Sequence, residues 1–165
     1  MRMSESSYLN MNNLATLCFD ANAVIDNLAY SLDYHYYNKI GEMVHHNVAH
    51  VMPVWADLIS DEMLLLGGKP FRGLIGEYKE DYVELEKVFV VLYELLMKLR
   101  SACVEMIESA DLNDDDEVRI FGEDFLQNHI SPFIKQTEEW LNAARSMDGW
   151  RFNDHIKDYT HFIQY

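Results

Sequence analysis

The chain has 165 residues, 49% apolar and 25% charged, so a single packed domain can form without covalent staples. Asp and Glu number 28 against 13 Lys and Arg, a net charge of −15, which argues against nucleic-acid binding and against a polybasic membrane-surface role, since both need clustered cations. With only 3 Pro and 7 Gly, the composition also argues against disorder and against a turn-rich all-β sandwich.

Cys18 and Cys103 both sit in apolar periodic stretches, which fits reduced core thiols better than a disulfide framework. Residues Met1 to Asn10 lack the apolar run of a signal peptide. No stretch approaches the roughly 18 apolar residues of a membrane helix. A cytoplasmic protein is the expectation.

The apolar period predicts four long helices and a short fifth. Helix A spans about Asn12 to Tyr37, with Leu14, Cys18, Ala21, Ile25, Leu28 and Leu32 on one face and Asn22, Asp26 and Asp33 on the other. Asn38 to Gly41 reads as a tight turn. Helix B spans about Glu42 to Leu66, with Val44, Val48, Val51, Trp55 and Ile59 as its stripe, and Pro53 should kink it by removing a donor to Ala49. Gly67-Gly68-Lys69-Pro70 is a strong stop. Phe71 to Tyr82 reads as a crossover. Helix C spans about Val83 to Ala110 and helix D about Glu117 to Met147, with a second kink at Pro132. A short helix capped by Asn153 or Asp154 ends the chain. The expected architecture is all-α: a flexible segment over 1–11, a four-helix bundle over 12–147, and a turn with a short fifth helix over 148–165. Length permits a crossover along the whole bundle or an up-down-up-down path.

Three of the 7 histidines crowd the start of helix B. His46 and His50 share a face at spacing i, i+4, and Glu42, Asp57 and Asp61 continue it, opposite the Val48–Trp55 stripe. Imidazoles and carboxylates in one row can bind a borderline divalent metal. They cannot all reach one ion, because His50 and Asp57 stand about 10 Å apart along the axis. The same row would also serve as a solvated face, as a site closed by a second subunit, or as an adventitious surface site. Glu62 falls in the apolar sector of helix B and needs a metal, a partner or water. His35 falls in the apolar sector of helix A near its C-terminal end, where a cation suits the helix dipole. His129 faces the core beside Pro132 and can cap a carbonyl freed by the kink. Tyr34 to Tyr37 is an aromatic run that suits an interface or a helix end. Phosphate-binding glycine loops, G-x-S-x-G elbows and C-x-x-C pairs are absent, so nucleotide and hydrolase chemistry lack motif support.

These residues resemble the ferritin-like superfamily, and within it the Dps-like miniferritins. Tyr34-His35-Tyr36 is similar to the Tyr-His-Trp run that ends the first helix of that group. Leu66-Gly67-Gly68-Lys69-Pro70 is similar to the Leu-Gly-Gly-x-Pro end of the second helix, and Trp140-Leu141 falls on a comparable last core helix. The resemblance implies a subunit that binds and oxidises Fe(II), assembles as a homo-oligomer, and forms its metal site across a dimer interface. By position it implies His35, His46, His50 and Asp61 as ligands; Asp57 and Glu62, taken from the faces of helix B, complete the candidate metal set. Two departures are visible: His50 stands where the group has a carboxylate, and, of the paired E-x-x-H of ferritins and bacterioferritins, Glu42-Met43-Val44-His45 has the spacing early in helix B while helix D has no second one. The alternative is a non-enzymatic helical bundle acting as an interaction or scaffold module.

Overall fold

The computed structural model describes residues 1–165, and the fold is all-α. Helix α1 runs Glu5–Tyr34, α2 Asn38–Val44, α3 Val51–Leu65, α4 Leu85–Leu112, α5 Asp116–Phe125, α6 Ser131–Ser146 and α7 Gly149–Asp154. A π-helical turn, His45–Ala49, joins α2 to α3, and a second, Leu126–Ile130, joins α5 to α6. Four rods therefore lie side by side: α1, the α2–α3 rod, α4 and the α5–α6 rod. No helix is long and apolar enough to cross a membrane.

The core is one cluster of 37 buried apolar residues, including Trp55, Phe89, Phe125 and Trp140, with both cysteine thiols free inside it. Burial pushes the thiol of Cys103 up to about 12, so it stays protonated and acts as a small apolar group.

Chain direction follows from a few contacts. The Arg2 N–H donates to the Leu66 carbonyl at 2.7 Å, so the second rod ends beside the start of α1. From there residues 68–84 run without helix along α1, with no ladder partner of their own. Side chains of α1 accept their N–H groups in turn: Asn12 from Phe71 at 3.0 Å, Thr16 from Gly73 at 3.0 Å, Asp20 from Gly76 at 2.8 Å and Ser31 from Tyr82 at 3.1 Å. This satisfies backbone groups that a buried loop would leave orphaned. The crossover thus climbs the whole of α1, and α4 descends from its top, parallel to α3. The path is up, down, crossover, down, up; the up-down-up-down alternative is not the one taken.

Helix ends explain where the observed boundaries differ from those expected. Helix α1 begins at Glu5, because the Ser4 hydroxyl accepts from the Ser7 N–H at 3.1 Å. Residues 1–11 are therefore not a loose segment: Met3 and Met11 are buried. Helix α1 stops three residues early, with Tyr36 in the left-handed region at φ 70° and the Tyr37 N–H closing onto Leu32 at 2.8 Å. The expected turn at 38–41 is the first turn of α2. At the other end of that rod, Gly67 takes φ 82°, and Gly68 donates to Met63 at 2.9 Å, the cap expected from the double glycine. Helix α7 starts at Gly149 because the Asp148 carboxylate accepts from the Arg151 N–H at 3.2 Å. Asn153 caps α2 instead of its own helix, accepting from Lys39 at 3.1 Å and Ile40 at 3.0 Å.

Asp115 fastens α1 to the start of α5. Its carboxylate accepts from the Ser4 hydroxyl at 2.6 Å and from the buried Ser7 hydroxyl at 2.5 Å. Partial burial pushes its pKa up, but the bonds from Ser4 and Ser7 more than offset this and hold it below the usual carboxylate range. A lowered folded pKa stabilises the protein above the ordinary value, and that stability is lost as pH falls through the folded value. Asp115→Ala should therefore cost about 1–3 kcal/mol in urea unfolding at pH 7, with the gap to the parent closing below about pH 4.

Candidate metal site

Proline at position 53 has no N–H, so the Ala49 carbonyl loses its α-helical partner. The side-chain amide of Asn22 on α1 donates to it instead, at 2.8 Å. The strain of Pro53 is absorbed upstream as a π turn, with the His50 N–H reaching back five residues to the His45 carbonyl at 3.2 Å. The expected kink at Pro53 is thus a widened turn over 45–49, and Pro132 follows the second π turn in the same way.

The π turn gathers three imidazoles. In an α-helix His45 would lie about 100° round from His46. Here the ring centroids of His45 and His50 are 4.4 Å apart, those of His45 and His46 4.9 Å, and those of His46 and His50 5.2 Å. Ligand nitrogens of all three lie within 4.8 Å of one another, close enough to converge on one ion by small side-chain rotations. His46 and His50 are exposed, while His45 is half-buried.

His45 is oriented from behind. Its Nδ1 lies 3.1 Å from Asp26 Oδ1 on α1, an ion-pair distance, and neither atom makes a hydrogen bond. With Nδ1 against the carboxylate, Nε2 is the nitrogen left for a metal, and a hydrogen bond closed across this contact would fix the tautomer and raise the ring's basicity. Asp33 stands nearby, tucked against Gly41 where any side chain would collide with its carboxylate. Burial pushes its pKa up and Glu42 adds to this, while His45 and His46 pull it down.

Of the six residues singled out in the sequence, the structure brings together His46 and His50 only. His35 instead pairs with Asp81 of the crossover, Nε2 to Oδ1 at 2.8 Å. Asp57 and Asp61 lie exposed on α3 and make no ion pair or hydrogen bond. Glu62 sits at the far end of α3, where burial first and Glu117 second raise its carboxyl, and Arg2 opposes them. Physical distance explains the separation, since Asp61 stands roughly 16 Å along the rod axis from His50. His45 and Asp26 were not singled out as ligand and partner. The available signal was Pro53 three residues beyond His50, which disturbs α-helical bonding at that level.

His129 occupies the matching position before Pro132, but it faces inward. Its ring lies 5.4 Å from Phe125 and 6.3 Å from Trp55. No protein-family model and no curated protein matches the chain.

Proposed function

We propose that the protein is a ferritin-like helical metal-binding protein that holds one divalent transition metal at His45, His46 and His50. The observation that carries this reading is the convergence of three imidazole nitrogens on the π turn, with Asp26 behind His45. Imidazole sets suit Zn, Cu, Ni and Fe, and three protein donors leave a position open. The path of the rods, with its crossover along α1, supports the ferritin-like architecture, and through that architecture iron is the first metal to test. A second, ferroxidase-type ion would draw on Asp57 and Asp61, and therefore on a second copy covering that outer face of α3. Leu64 and Leu65 on α3 are more than half exposed, which favours such self-association.

Metal-free protein titrated anaerobically with Fe(II), and separately with Co(II), should take up one ion per chain. Admission of air to the iron form should then oxidise Fe(II) faster than buffer. Failure to bind any of these ions would overturn the reading and leave the scaffold alternative.

Asp26→Asn should lower metal affinity about 10–100-fold, because the neutral amide still fills the space but no longer supports the imidazole charge. Isothermal titration at fixed pH measures this.

A further inference from the structure

Helix α1 packs on α3 and α4, and α4 packs on α5 and α6, whereas α3 and α6 stand further apart. Rings bridge the gap between them: Trp55 lies 5.0 Å from Phe133 and 5.6 Å from Phe125, centroid to centroid. Beside these rings a cleft of about 430 Å³ opens to the surface. Val51, Val54 and Leu58 on one side and Phe133 on the other form the apolar part of its lining, Phe162 and Ile163 of the C-terminal segment add to it, and the rest holds no Lys, Arg, Asp or Glu. Val54 is 55% exposed and Leu58 38%, so water covers apolar side chains here that a ligand would desolvate. His46 lines this cleft and is also one of the three clustered imidazoles.

We infer that the metal position and this seam together receive one ligand: a small organic molecule with an aromatic or branched apolar body and a terminal oxygen donor, a carboxylate or hydroxamate. The inference rests on the metal reading above. Three nitrogen donors leave a tetrahedral ion one position short. His46 is the side chain common to the ion's ligand set and to the cleft, so a donor that completes the ion beside His46 has an apolar channel for the rest of its molecule. A few polar groups on an otherwise apolar wall are the usual composition of such a site, and Asn47, Asn128 and His129 supply them. His46 and Asn47 also border a second cleft of about 570 Å³, lined by Lys39, Glu42, Asp154, Lys157 and Asp158. Apolar side chains line it too, namely Met43, Ile156 and Tyr165, but five charged groups border it where the seam has none, and this difference in charge separates the two routes experimentally.

The test uses Co(II)-loaded full-length protein, whose visible spectrum reports the coordination sphere. Benzohydroxamate and acetohydroxamate carry the same donor and differ in the apolar body. Both should shift the spectrum, and benzohydroxamate should bind about tenfold more tightly, as expected for burial of a phenyl ring. Val54→Trp, a substitution at an exposed position, should fill the seam and abolish the preference while Co(II) affinity stays unchanged. Equal affinity for the two hydroxamates, or a preference that survives in Val54→Trp, would overturn the inference and leave the metal reading standing. Absence of Co(II) binding, seen before any hydroxamate is added, would remove the metal reading and this inference with it.

Discussion

Replacing His46 and His50 together with alanine should abolish metal binding and leave the fold intact. Two of three donors disappear, so the loss must exceed the roughly 10–100-fold that follows from altering a residue behind a ligand. The remaining nitrogen, on His45, then stands alone beside Asp26 and has no neighbour within reach to share an ion. Both replaced side chains are exposed, so no cavity forms in the core. Alanine also has the higher helix propensity, by a few tenths of a kcal/mol per position. The unfolding midpoint should therefore hold or rise slightly while uptake of Co(II) or Fe(II) falls to background, measured by elemental analysis after gel filtration. Retention of one ion per chain in the double variant would place the metal elsewhere.

The largest expected loss of stability comes from Trp140→Ala. Trp140 is 1% exposed and packs on Phe89 at 5.8 Å between centroids, and its indole N–H donates to the Thr160 hydroxyl at 3.1 Å. That hydroxyl donates onward to the Ile156 carbonyl at 2.8 Å. One turn before Trp140, the buried Gln136 clamps the same segment, its amide donating to the Tyr159 carbonyl and its oxygen accepting from His161 and Phe162, each at 2.8 Å. Truncation removes the ring that holds α6, α4 and the C-terminal segment together, at a cost of about 3–5 kcal/mol. For a chain of this size that corresponds to a fall in Tm of roughly 10 °C or more. Trp140→Phe keeps most of the packing and loses only the indole bond, so it should cost no more than about 2 kcal/mol. Thermal unfolding separates the two, and hydrogen exchange should show residues 156–162 opening first in the alanine variant.

The rods and their stops were legible because burial dominates their energetics. The stripe Leu14–Leu32 places the right residues inside, and the double glycine closes α3 with the cap its φ freedom allows. The boundaries that moved belong to polar caps. Ser4 and Asp148 each accept one backbone N–H, a local signal too small to register in an apolar periodicity. The candidate site was half legible for a related reason. Reading the second rod as a uniform α-helix keeps His46 and His50 on one face and sends His45 away. Yet the buried residues Ile40, Val44, Val48 and Met52 recur every four positions, and at 3.6 residues per turn such a row drifts about 40° per step. A widened turn cancels that drift. The same spacing, Val118, Gly122, Leu126 and Ile130, precedes Pro132 in the fourth rod. Asn22 and Asp26 looked solvated on α1 because what they face exists only once that turn has formed: a freed carbonyl and an imidazole.

A π turn holds one residue more than the α turn it replaces, so in genetic terms the His45–Ala49 segment amounts to a single inserted codon. A chain shorter by that codon would wind regularly through this level. Everything from Asn38 to the excision would swing about a third of a revolution relative to α3, carrying Ile40 and Val44 out of the interior and scattering the imidazoles. Gathering or scattering of these imidazoles is therefore an insertion-or-deletion event as much as a matter of substituting histidines, and it is tied to the same register that keeps α2 seated on the core.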